Sequence, residues 1–309
     1  MTLAQLIPLA LQSSIAILLF CIALKSSFRD ITHLLRRPGL LGRSLLAMNV
    51  IMPLFAVMLA LAFDFNQSLE FAFIALAVAP IPPILPKKEL KAGGTSSYII
   101  GLLAVTSLAS IVLVPATVEL LARIFARPAH VSPGTVAGIV LTSMIAPLVA
   151  GIVFRRLAPS AADRIARPLS VFANVLLVVA AVPVLIAEWP AIVSLIGNFT
   201  LVAIIVYVLV GLAIGHLLGG PDPDNRTVLA LSTATRHPAV ALAILHNAPD
   251  QKAVMAAVLL VVIVGGITAA GESLVAFVTV FLQLGPTIAV WILLLAWPAR
   301  ALWRRATIH

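Results

Sequence analysis

Long apolar runs recur along the whole chain, and they constrain the fold more than any single residue does. Of the 309 residues, 62% are hydrophobic and only 10% are charged, whereas about a quarter of residues are charged in soluble domains. Hydrocarbon offers no water to a bare peptide group, so each run is read as a helix that satisfies its own backbone. At about 20 residues per crossing, the chain has room for nine or ten transmembrane helices joined by short turns. The predicted fold is an all-α membrane protein, a single transmembrane domain over 1–309 that passes the bilayer many times. In a bacterium it would sit in the cell (inner) membrane. One cysteine, Cys21, excludes a disulfide framework and a thiol metal cluster. The N-terminus lacks a basic leader region, so its first apolar run is read as a retained span.

Loop charges orient these spans. The first run, 4–24, ends at a connector with Lys25, Arg29, Arg36, Arg37 and Arg43, which the positive-inside rule places in the cytoplasm. The span at 44–63 follows, and the third starts near Ser68 and stops at the proline cluster before Lys87, Lys88 and Lys91. The fourth covers 95–121, with Gly93-Gly94-Thr95 read as a cap at its entry. Spans at 134–154, 168–187 and 191–218 come next, then the stretch from Thr227 to Leu245, then a ninth from Ala253. Pro147 and Pro183 fall inside two of these spans, and Arg155, Arg156, Arg164 and Arg167 are placed in one loop. Thirteen Lys/Arg then face the cytoplasm and three, Arg123, Arg127 and Lys252, face outward. Basic residues spread among loops orient helices and form no nucleic-acid surface, so nucleic acid is not an expected partner. The segment 285–309 is apolar but short and ends in Arg300, Arg304 and Arg305, leaving a tenth span or an interfacial end open.

Two spans carry signals that a plain helix cannot tolerate. Pro80, Pro82, Pro83 and Pro86 fall within seven residues, and each removes an N–H and crowds the preceding turn. Ser232-Thr233-Ala234-Thr235-Arg236-His237-Pro238 places a guanidinium about 15 Å into its span, where a cation costs about 2.5 to 3.5 kcal/mol. Two spans precede the first interruption and three precede the second, and one long span follows each. The pattern predicts two inverted repeats, 4–125 and 133–281, with two broken helices crossing near the midplane at a substrate cavity.

Arg236 has two readings: an anion-binding fork, favoured about two to one, and a structural donor to carbonyls of the 80–86 segment. His237 is placed as a neutral hydrogen-bonding ring beside that cation. Ser232, Thr233 and Thr235 either line the cavity or bond back to the preceding turn, the two readings being even. Pro80, Pro82, Pro83 and Pro86 would form the cavity wall. Asn49 and Asn174, lone amides in apolar spans, are candidates of lower rank, since interhelical bonding explains them. Glu272 is the best acidic candidate for a proton site. No catalytic motif is present, so the expected class is a transporter and not an enzyme. His237 and His246 are badly spaced for a metal pair. No cofactor is expected, and the coupling ion is open between sodium, a proton and none.

Several short motifs, in this order and spacing, carry a resemblance. They are Leu24-Lys25 followed by Arg37-Pro38, Ile51-Met52-Pro53, Pro80, Pro115, and the polar break at 232–237. Across 4–275 the chain resembles the bile acid:sodium symporter family. That resemblance implies two inverted five-helix repeats, here without the first helix, and sodium-coupled symport. It does not carry the sodium ligands over. Family members have a Gly-Gly-Thr-Ala-Ser-Asn-like run where this chain has Ile81-Pro82-Pro83-Ile84-Leu85-Pro86. An acidic residue and a Gln-Asn pair fall by position at Ser232 and Arg236-His237. The expected function is secondary active transport of a small organic anion by alternating access. The alternatives are an efflux carrier for an anion or metalloid, and a non-transporting membrane sensor or scaffold.

Overall fold

The computed structural model describes residues 3–63, 65–125, 131–197 and 199–268; Glu272 and the segment 285–309 lie outside them. Every regular element among the described residues is helical. In order these are α1 (Leu3–Ala23), α2 (Phe28–Ile31), a 3₁₀ turn (Leu34–Arg36), α3 (Pro38–Leu46), α4 (Met52–Ala62), α5 (Gln67–Val78) and α6 (Leu85–Lys91). There follow α7 (Ser96–Phe125), α8 (Pro133–Val140), α9 (Ala146–Leu157), α10 (Pro159–Ser194), α11 (Thr200–Leu218), α12 (Pro223–Ala234), α13 (Pro238–Ile244) and α14 (Gln251–Thr268). Among the described residues, seven stretches of helix are long and apolar enough to cross a membrane.

Local chemistry sets many of the ends. Asn66 accepts from the Ser68 N–H at 2.9 Å, Ser132 from Thr135 N–H at 3.0 Å and Asp222 from Asp224 N–H at 3.1 Å, which caps α5, α8 and α12. Pro133 and Pro223 directly follow two of these caps, where no intrahelical donor is lost. α3 and α4 are joined by one turn of π-helix, Ala47–Ile51, and α8 and α9 by another, Leu141–Ile145. Pro53 and Pro147 each come two residues after such a turn. The widened turn is how the helix passes its proline.

Both anticipated interruptions are present. α5 stops at Val78 and helix resumes only at Leu85; α12 stops at Ala234 and α13 starts at Pro238. Two features depart from expectation. Lys87, Lys88 and Lys91 belong to a helix and not to a loop, because Pro86 falls in the first turn of α6, where proline is tolerated. Gly93-Gly94 closes that helix instead of opening the next. Gly93 has φ +92°, and the Gly94 N–H reaches Glu89 O at 2.9 Å, a Schellman end.

The third departure is α10. Expected at 168–187, it runs unbroken for 36 residues through Pro168, Pro183 and Pro190, about 54 Å. Asp163, Arg164 and Arg167 are therefore helical, and Asp163 pairs with Arg155 on α9. Val171, Phe172, Val175, Val178, Val179 and Ile186 stand exposed along it, the face such a helix presents to lipid.

α1 packs on α9 and α10, α5 on α4, α13 and α14, and α11 on α12 and α14, while α10 also meets α14. Glycine sets the closest approach. A Cβ on Gly215 would stand 2.3 Å from Leu229 O and 2.5 Å from Ala230 Cα, and one on Gly211 would stand 2.9 Å from Ala234 Cα. With Gly219 these form a small-residue stripe on α11, the device that lets membrane helices touch backbone to backbone.

The connector after α1 is docked as firmly. Asp30 accepts from Ser27 N–H at 2.7 Å, Ser27 Oγ at 2.8 Å and Ser97 Oγ at 2.5 Å, which ties α2 to the first turn of α7. A Cβ on Gly101 would meet Asp30 O at 2.9 Å.

Two predictions result. Gly215→Leu pushes α12 off α11 and lowers thermal stability in detergent, at about 1 to 3 kcal/mol for overpacking. Gly138→Ala, where nothing lies within 4 Å, causes no loss. Partial burial raises the Asp30 pKa, but the bonds from Ser97 and Ser27 outweigh it and leave the group below its ordinary value. A carboxylate depressed in the folded state stabilises above its unfolded pKa, about 3.9, and loses that contribution as pH falls toward the folded value. The melting temperature should drop across that acid range in the wild type, and the drop should shrink in Asp30→Asn.

Candidate functional site

The two interruptions meet. Residues 80–84 make no helical hydrogen bonds, Pro80, Pro82 and Pro83 supplying no N–H, and all three prolines are buried with Pro86. Thr235 is extended, at φ −118° and ψ 127°, and His237 likewise, at φ −76° and ψ 107°; the position before Pro238 is pushed out of the helical region. The His237 N–H then donates to Pro80 O at 2.8 Å. α5 touches α13 and α6 touches α12, so each half of one interrupted helix faces a half of the other.

Arg236 is 3% exposed and spans this junction. Nη2 donates to Met48 O at 2.8 Å and Nη1 to Ala79 O at 3.3 Å. The first acceptor lies in the π turn before Pro53, the second at the end of α5. Both are positions where irregular backbone leaves a carbonyl without its usual partner. Arg236 thus donates to backbone carbonyls, as the structural reading expected, but neither acceptor lies within 80–86: Ala79 directly precedes that segment and Met48 belongs to the π turn. Two donors of the fork are committed and Nε–H is left without a partner.

The other residues singled out from sequence separate clearly. Ser232, fully buried, donates to Glu89 Oε1 at 2.5 Å. Thr233 Oγ1 bonds back to Leu229 O at 2.6 Å, which satisfies it within its own helix. Thr235 lines a narrow cleft with Leu76, Tyr207, Arg236, Val261 and Gly265. His237 places Nε2 3.4 Å from Ser143 Oγ, in the second π turn, and its Nδ1 is unpartnered. Asn49, one residue from the Arg236 acceptor Met48, has an unpartnered Nδ2. Asn174 stands apart: it accepts from Lys87 Nζ at 2.8 Å and donates to Ser170 O. Lys88 Nζ reaches Gly266 O at 3.1 Å. His246 is exposed, and its ring Nδ1–H donates to Ala243 O at 3.0 Å.

Sequence reading missed four residues. Glu89 is 1% exposed and puts a carboxyl between α6 and α12, whereas the only acidic residue singled out from sequence is Glu272. It was hidden in a charged run, Lys87-Lys88-Glu89-Leu90-Lys91, that reads as a loop unless helix resumes at Leu85. Tyr98 and Ser44, both buried, pair at 2.9 Å. Tyr207 stacks on Phe73 at 5.2 Å and Phe55 at 6.4 Å, and its hydroxyl is unpartnered. A tyrosine or phenylalanine in an apolar span carries no signal of its own.

This construction, several lipid-length helices around two interrupted ones that bond to each other at their breaks, defines an integral, multi-pass membrane protein. The model of the sodium bile acid symporter family matches residues 13–195, more than half of the chain, and the chain belongs to that family. The match includes the first interruption and ends before the second. No individual curated protein matches the chain.

Removing the Ser232 hydroxyl leaves the Glu89 carboxyl buried without its partner. Ser232→Ala should therefore lower thermal stability by about 1 to 3 kcal/mol. Thr233→Val, which removes only a bond within one helix turn, should change it little. Detergent unfolding curves of both variants check the contrast.

Proposed function

We propose that the protein is a secondary active transporter that carries a small organic anion by alternating access, with the anion bound where the interrupted helices meet. The observation that carries this reading is a set of unpaired polar atoms. Arg236 Nε, His237 Nδ1, Asn49 Nδ2 and Tyr207 Oη are all buried without a hydrogen-bond partner. Arg236 and Tyr207 line one cleft, Asn49 adjoins an Arg236 acceptor, and His237 is the next residue in the chain. Each of these atoms can donate. Leaving such groups unmatched in a dry interior costs about 1 to 3 kcal/mol each, and a ligand with several acceptor oxygens and a negative charge matches them together.

The repeat organisation belongs to the same reading. With each interrupted pair counted as one span, the described residues would hold nine, arranged as inverted halves, one over 4–125 and the other from 133 onward. The group formed by α1, α9 and α10 would rock against the group that holds the breaks. Membership in a symporter family supports coupled uptake over efflux. The donors at the junction support an anion over a cation, and they argue against a sodium ion at Arg236, whose guanidinium is the wrong charge for that place.

Purified protein screened with aliphatic and aromatic carboxylates and sulfonates should be thermally stabilised by one class. Arg236→Ala should weaken that stabilisation about tenfold to a hundredfold, the equivalent of one charged hydrogen-bond set of about 1.5 to 3 kcal/mol. Arg236→Lys, which keeps the charge and loses the fork, should fall between. Uptake into proteoliposomes should persist when sodium is replaced by choline. Unchanged ligand affinity in a folded Arg236→Ala variant would defeat the anion reading.

A further inference from the structure

Away from the helix breaks, the connector between α1 and α3 forms a second polar site. A pocket of about 500 Å³ opens there, with Arg29, His33, Arg36 and Arg37 on its walls and Asp30, Ser27 and Ser97 at its base. The only carboxylate is already used, since Asp30 takes hydrogen bonds from Ser27 N–H, Ser27 Oγ and Ser97 Oγ. Among the described residues no ion pair involves Arg29, Arg36 or Arg37. The His33 ring is held below its ordinary pKa by partial burial and by nearby Arg37, so at neutral pH it adds a neutral hydrogen-bonding group. Three guanidiniums thus face one spent carboxylate. Ser97 lies in the first turn of the 30-residue α7, whose peptide dipole adds to the positive potential.

The geometry points to a site for the phosphate headgroup of an anionic phospholipid in this pocket. Guanidinium forks match phosphate oxygens, and the connector is held rigid by its contacts to Gly101 and Ser97. Lipid, and not a soluble phosphate ester, is indicated by two apolar side chains beside the arginines. Phe28 is 42% exposed and Leu35 is 58% exposed, next in sequence to Arg29 and Arg36. A basic pocket flanked by bare apolar groups at the end of a membrane span is suited to an interface, where headgroup and acyl chain are contacted together. The site does not depend on what the helix breaks carry.

Native mass spectrometry of the full chain in non-ionic detergent, titrated with phosphatidylglycerol and with phosphatidylcholine, tests it. Wild type should prefer phosphatidylglycerol, and Arg36→Gln/Arg37→Gln should weaken that binding about 25-fold, roughly fivefold per arginine. Arg29→Gln should weaken it about fivefold, and Phe28→Ser should weaken it with no change in charge. Arg155→Gln/Arg156→Gln, at a separate basic helix end, is the control and should change it less than about twofold. Unchanged binding in the Arg36/Arg37 variant, or an equal loss in the control, would overturn the site. Glycerol phosphate binding as tightly as the lipid would overturn the lipid as the source of the phosphate.

Discussion

The architecture turns on a shortage of hydrogen-bond partners. Interrupting a helix inside a membrane protein strips several peptide groups of their partners, and no water is at hand to replace them. Here each interruption supplies what the other lacks. The His237 N–H, freed where α12 ends, goes to Pro80 O in the first break. Arg236 then covers Ala79 O and Met48 O, one from that break and one from the π turn ahead of Pro53. Neither break is stable alone, so the junction behaves as one unit, and a movement of one interrupted helix has to take the other with it.

Packing delivers the two breaks to the same place. Gly211 on α11 lies against Ala234, the last residue of α12, so the end of that helix is fixed where its backbone turns extended. On the other side Gly94 admits Val228 of α12 to within the space of a methyl group, and Glu89 meets Ser232 one turn further on. α12 is thus held between α11 and the end of α6. Small residues do this where larger ones cannot, because in lipid close contact and hydrogen bonding carry helix association in place of the hydrophobic effect.

Much of this could be read from residues alone, and the limits have physical causes. The prolines at 80–86 and the run Arg236-His237-Pro238 located both breaks, since proline chemistry is local and needs no tertiary context. Caps such as Asn66, Ser132 and Asp222 are equally local, yet polar residues at span ends read only as turns until the helix starts are fixed. Glu89 was missed because a charged stretch after a break reads as loop, and only Pro86 in a helical first turn makes it a buried helix. α10 was cut short because the basic residues from Arg155 to Arg167 read as a loop, whereas the helix runs through Arg164 and Arg167 and on past Pro168, Pro183 and Pro190, since within a membrane helix neighbouring groups re-satisfy the freed carbonyls. Thr233 and Thr235 were equivalent in sequence; one faces back along its helix and the other lies on the cleft, a difference set by where α12 ends.

The same accounting bears on the ion. A hard cation such as sodium is held by oxygen ligands, and backbone carbonyls at a helix break are a natural source of them. At this junction Pro80 O, Ala79 O and Met48 O are each engaged by an N–H of the second break. The buried hydroxyl of Ser232 is engaged with Glu89. A cation placed there would have to displace a guanidinium that is covalently part of the chain and carries the same sign of charge. On the transport reading proposed above, Arg236 would take the place of a bound ion in charge and in the oxygens it gathers, and its unpaired Nε–H would be free for an acceptor. The backbone of the two breaks supplies the junction, while the side chains of this chain supply donors at it.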